Sequence, residues 1–140
     1  MQDCYDWQVT VCFYTALHLV NAHLSKHNLQ YRKHKDVNHA LNPDVALSVS
    51  KLPETEYDSY IVLQSLSRRS RYLVNEKDNQ LASTVAAFTY DKHLGKGVKH
   101  LNLLIQYFCN LYNITSISPV KIKCAELKPA DKLSYFEVVT

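Results

Sequence analysis

A mostly α fold is predicted, an antiparallel bundle of four to five helices with a short C-terminal β-hairpin, and three observations predict it. Glycine is nearly absent: Gly95 and Gly97 are the only two in 140 residues, whereas tight hairpins, barrels and phosphate-cradling loops consume glycine. Apolar residues recur every three or four positions over most of the chain, the period of a helix with one buried face. Only the last twenty-odd residues alternate apolar and polar. The length fits one domain able to bury a core, and 46% hydrophobic with 21% charged residues is a globular composition. The division expected is a helical domain over residues 1–115 and a β-hairpin extension over 116–140, packed on the same domain or on a partner.

Residues 6–25 read as the first helix. Val9, Phe13, Ala16, Val20 and Leu24 form its stripe, and Cys12, Leu17 and Leu19 widen it until the helix is apolar nearly all round, which predicts a central position. Residues 26–33 are polar and read as a loop, followed by a short helix over 34–41. Asn42-Pro43-Asp44 interrupts; Pro43 suits a first helical turn with Asn42 as cap, so helix is expected to resume through Leu47 and end near Lys51. Pro53-Glu54-Thr55-Glu56 is a helix start, with proline early and acids in the first turn. That helix should reach about Val74, with Tyr57, Tyr60, Ile61, Leu63, Leu66 and Leu73 inward, and residues 75–79 should form a loop. Residues 80–94 and 98–111 carry helical periods; Gly95 and Gly97 between them mark a break or a kink, and Asn113 a stop. In the tail, Val120, Ile122 and Cys124 alternate with Lys121 and Lys123, Lys128-Pro129-Ala130-Asp131 is a turn, and residues 133–138 alternate again: a hairpin, too small to stand alone.

The glycine count excludes a Rossmann fingerprint or a P-loop. No G-x-S-x-G, H-E-x-x-H or spaced carboxylate pair is present. Cys4, Cys12, Cys109 and Cys124 contain no C-x-x-C, and Cys12 and Cys109 read as buried small hydrophobes. A reduced, cytoplasmic protein is expected, because the apolar run from Val9 to Val20 is too short to span a bilayer and acids, not bases, precede it. No cofactor and no metal are expected: His23 with His27, and His93 with His100, have one-face spacings but no neighbouring carboxylate or thiol to complete a site, and surface histidines are the simpler account.

Sixteen Lys and Arg against thirteen Asp and Glu leave a formal charge of +3, but the distribution is uneven. Residues 23–40 hold Lys26, Arg32, Lys33, Lys35 and four histidines, including His34 and His39, against Asp36 alone; residues 68–71 hold Arg68, Arg69 and Arg71, with Tyr72 next. Guanidinium forks take phosphate bidentately and tyrosine stacks on bases, so Arg68, Arg69, Arg71 and Tyr72 with His34 and Lys35 are candidate RNA or nucleotide contacts. Ion pairs from the arginines to Glu54, Glu56, Asp58 or Glu76 are the alternative. Thr10, Tyr14, His18 and Asn21 fall on one stripe of the first helix. Tyr14 and His18 could handle protons in a cleft, or the stripe could be a satisfied buried network or a subunit interface.

Residues 6–18, from Asp6-Trp7 through Phe13-Tyr14-Thr15-Ala16-Leu17-His18, resemble the first long helix of HEPN-like proteins (higher eukaryotes and prokaryotes nucleotide-binding). Tyr57-Asp58-x-Tyr60 through Leu66-Ser67-Arg68-Arg69-Ser70-Arg71-Tyr72 is similar to a later helix of a bacterial branch, and His34 stands where that branch tends to carry a histidine before a short helix. The resemblance spans roughly residues 6–112. It implies an antiparallel bundle that commonly dimerises, acting in defence, toxin–antitoxin or stress systems, with RNA or nucleotide as ligand and an antitoxin or nucleotidyltransferase as a possible partner. Many relatives are metal-independent ribonucleases using an arginine and a histidine a few residues on, normally on a late helix. The fitting pair here is Arg32 and His39, on an early segment; residues 98–113 contain none. Three functions are thus implied: an RNA- or nucleotide-binding module, a ribonuclease using Arg32 and His39, and a non-catalytic dimerisation subunit.

Overall fold

The structure is a computed structural model describing residues 5–72 and 79–139, with side chains described for 5–69 and 91–139. Four helices are described: α1 (Tyr5–Lys26), α2 (His34–Leu41), α3 (Glu54–Tyr72) and α4 (Asn79–Tyr112). Strands β1 (Val120–Ile122) and β2 (Phe136–Val138) follow, with a 3₁₀ turn at Pro129–Asp131 between them. Helices α1, α3 and α4 each touch the other two. Their shared core is Val9, Phe13, Ala16, Val20 and Leu24 from α1, Tyr60, Leu63 and Leu66 from α3, and Leu94, Val98, Leu101, Leu104 and Phe108 from α4.

Helix ends follow from local chemistry. After α1, Asn28 takes a left-handed φ of 59°, the Leu29 N–H reaches the Leu24 carbonyl and the Asn28 N–H reaches that of Ser25. This is the Schellman pattern, and half-buried Leu29 packs on the core beside it. Asn113 ends α4 similarly, with φ 56° and the Ile114 N–H on the Cys109 carbonyl.

Four expectations are corrected. No helix resumes after Asn42. The Asn42 side chain accepts the Asp44 N–H, 2.9 Å, which makes an Asx turn, and Val45 and Ser48 close successive turns. The segment is pinned instead by Ser48 and Ser50 hydroxyls on the Ala40 carbonyl and by the Leu52 N–H on that of Leu41. Second, α4 runs unbroken through Gly95 and Gly97. A Cβ on Gly95 would stand 2.9 Å from the Glu126 Cβ, so this glycine admits the tail against the helix. Third, the tail is not a hairpin: β1 and β2 pair in parallel, Val120 with Phe136, Lys121 with Glu137 and Ile122 with Val138. Residues 123–135 form the crossover a parallel pair requires, and they pack Cys124 and Leu127 into the core. Finally, α1 is not enclosed: Trp7, Val11 and Tyr14 are 67%, 47% and 41% exposed. The loop expected at 75–79 lies outside the described residues except Asn79, which opens α4, and Leu73 lies outside them too.

No helix among the described residues is long and apolar enough to cross a membrane.

Candidate functional site

Helix α2 carries half of the predicted basic surface and α3 the other half. The Leu52 N–H on the Leu41 carbonyl ties the end of α2 to the start of α3, and Asn38 Nδ2 donates to Gln64 Oε1 at 2.8 Å, further along α3. These two contacts hold α2, which carries His34 and Lys35, against α3, which bears Arg68 one turn beyond Gln64. Arg32, His34, Lys35, Arg68 and Arg69 are all exposed. Among the described residues the ion pair within 4.0 Å is Lys99 with Asp131, so Arg68 and Arg69 are not neutralised by Glu54, Glu56 or Asp58. The side chains of Arg71 and Tyr72 lie outside the described set. The His34 ring sits 5.8 Å from Phe13, whose ring also meets Tyr60 at 5.9 Å, so the basic surface rests on the core.

Arg32 stands in the loop before α2 and His39 in its last turn, both exposed. About 7.5 Å of helix rise separates residues 34 and 39, and no hydrogen bond among the described residues joins Arg32 to His39. Tyr14, His18 and Asn21 face solvent, while Thr10 is buried and donates to the Asp6 carbonyl, 2.9 Å. The polar stripe is thus no buried network; it continues the exposed row begun by Trp7 and Val11.

His23 was expected at the surface and is buried. Its Nε2–H donates to the Ser50 carbonyl, 2.9 Å, which leaves Nδ1 to accept the Tyr112 hydroxyl, 2.6 Å. Burial holds its pKa below the usual value, and the Ser50 carbonyl opposes that only in part. The imidazole ties α1, the 42–53 segment and the end of α4 together. His100 pairs with Ser59 across α3 and α4, 2.9 Å, and is likewise pushed down by burial and by Lys96. His93 is pushed down by burial, then by Arg69 and Lys96. No group of three His, Cys, Asp or Glu that could hold a metal occurs among the described residues. Cys12, Cys109 and Cys124 are buried free thiols. Burial pushes Cys12 up to about 12 and Cys124 to about 11, and the Cys124 thiol donates toward Asp91. All three are inert hydrophobes rather than nucleophiles.

One feature escaped the sequence reading. A cleft of about 480 Å³ opens between α1, α4 and the paired strands. Val11 and Cys12, Leu101 and Ile105, and Ile122 and Phe136 form its apolar walls, with Gln8, Thr15, Lys121 and Lys123 also contributing. The available signal was Gly95 facing a tail whose apolar positions needed a helical partner.

Comparison of the chain with protein-family models, with curated proteins and with solved structures gives no match.

Proposed function

We propose that the chain is a HEPN-like helical module that binds RNA or a nucleotide through the α2–α3 surface, working as a homodimer in a bacterial defence, toxin–antitoxin or stress system. The observation that carries this reading is that, among the described residues, no acid forms an ion pair with Arg68 or Arg69; Glu76 lies outside them. Arginines kept for the fold's own stability would be expected to pair with the acids available on α3. These stand in solvent on the helix to which Asn38 ties α2, whose first turn carries His34 and Lys35. Phosphate is the ligand that exposed guanidinium forks fit best. The resemblance of residues 57–72 to the bacterial branch supports the same surface.

The test is single-stranded RNA binding by wild type and by Arg68→Ala/Arg69→Ala, each at two salt concentrations, with melting curves alongside. Loss of two phosphate contacts should weaken binding and flatten the slope of log K against log salt by about 1.4, with the melting temperature unchanged. Absence of binding by the wild type would overturn the reading. RNA cleavage without added metal, abolished by His39→Ala, would replace it with the ribonuclease using Arg32 and His39.

A further inference from the structure

We propose that the cleft between α1, α4 and the paired strands binds a small anionic amphiphile, a medium-chain carboxylate, with its chain among Val11, Leu101, Ile105 and Phe136 and its head at Lys123. The volume of about 480 Å³ lies within the range of small-molecule sites. Several polar groups of the walls already have partners, and the Gln8 amide is a neutral side chain of the lining left to offer a donor and an acceptor. The Thr15 hydroxyl donates to the Val11 carbonyl, 2.8 Å, and the Tyr135 N–H donates to Asn102, 3.0 Å. A nucleobase would bury ring nitrogens and carbonyls with little left to pair them, whereas an alkyl chain leaves nothing unsatisfied. That favours an acyl chain over a base.

Charge selects the head group. No aspartate or glutamate lines the cleft, while Lys121 and Lys123 do. Glu137 stands opposite Lys121 in the strand register without an ion pair within 4.0 Å, and Lys123 lies beyond the last paired position and has no cross-strand acid. Cys12 contributes no negative charge, because burial keeps its thiol protonated. A carboxylate at the strand end thus meets an uncompensated ammonium, and its chain replaces water against apolar walls.

Octanoate and octan-1-ol, titrated into the full chain and followed by calorimetry and amide chemical shifts, test this. Octanoate should bind about tenfold more tightly than the alcohol, with shifts at residues 120–123 and 135–136. Lys123→Ala should remove most of that preference. Thr15→Trp, at an exposed position on the cleft wall, should weaken both ligands by about tenfold or more. Melting curves matching the wild type establish that both variants fold; should Thr15→Trp fail to fold, Gln8→Trp narrows the same wall. Equal affinity for acid and alcohol, or binding that neither tryptophan variant weakens, would overturn the proposal. So would a wild type that binds neither ligand, the outcome expected if a second copy of the chain fills the cleft.

Discussion

Two glycines two residues apart on α4 have different reasons to be glycine. At Gly95 a methyl group would come within 2.9 Å of the Glu126 Cβ, close to the tail's main chain, so the tail must move. At Gly97 the nearest atoms, on Leu63, Cys12 and Leu66, stand 3.7–3.9 Å away, ordinary contact. Both lie inside a helix, where alanine is favoured over glycine by about 0.8–1 kcal/mol. Gly97→Ala should therefore hold or raise the melting temperature. Gly95→Ala should lose about 1–3 kcal/mol despite the propensity gain, because overpacking outweighs it. Denaturant titration of the two variants checks the contrast; equal effects would show that the tail does not bear on Gly95. His23 shows the limit of residue-level reading. Its spacing to His27 suggested a surface pair, and nothing in the local sequence announces that Ser50 and Tyr112 converge on it from two other elements.

At the scale of elements, α1 and α2 were legible because each has an apolar period and a polar flank. The span expected as 34–41 is the one observed, and Pro53 with Glu54 and Glu56 marks the start of α3. The continuity of α4 was not legible, since two glycines signal a break locally while packing against α1, α3 and the tail holds the helix together. Strand direction was not legible either. Alternation at Val120 and Ile122 reports which side chains share a face of the strand, not whether the partner strand runs parallel. The basic residues of the candidate site were visible, but their grouping depends on Asn38 meeting Gln64, a tertiary contact without a sequence signature. The outer face of α1 leaves a consequence of its own. Trp7 and Tyr14 stand at i and i+7, beside the cleft to which Val11 contributes, an apolar pair at the spacing that joins helices. A homodimer joined there is expected by light scattering at micromolar concentration, and Trp7→Asp with Tyr14→Asp should return it to monomer. A monomeric wild type would refute that pairing, leaving the interior of the bundle untouched.

At the scale of the whole molecule, three histidines link stability to pH. His23, His93 and His100 each have a folded pKa below the ordinary value of 6.5, with burial the largest cause in every case. The sign follows from linkage: below pH 6.5 the unfolded chain takes up protons that the folded chain refuses, so acid favours unfolding. The contribution is complete above pH 6.5 and is lost progressively as pH falls toward the depressed folded values. His23 should dominate, because it is the buried one and because protonation at Nδ1 would set a donor against the Tyr112 hydroxyl where an acceptor now stands. That hydroxyl can reverse its role, but the imidazolium would still be held against Phe108, His27 and the Ser50 carbonyl, with no carboxylate in an ion pair with it among the described residues. Replacing His23 by Gln keeps one donor and one acceptor while removing the titration. His23→Gln should therefore be less stable than wild type at pH 7.5, by about 1–3 kcal/mol for imperfectly replaced buried hydrogen bonds, yet its melting temperature should fall less steeply between pH 7 and pH 5. Melting curves for both proteins across that interval decide the matter. Parallel slopes would mean that the acid sensitivity of the fold resides elsewhere, with His93 and His100 on the α3–α4 seam the next to be replaced.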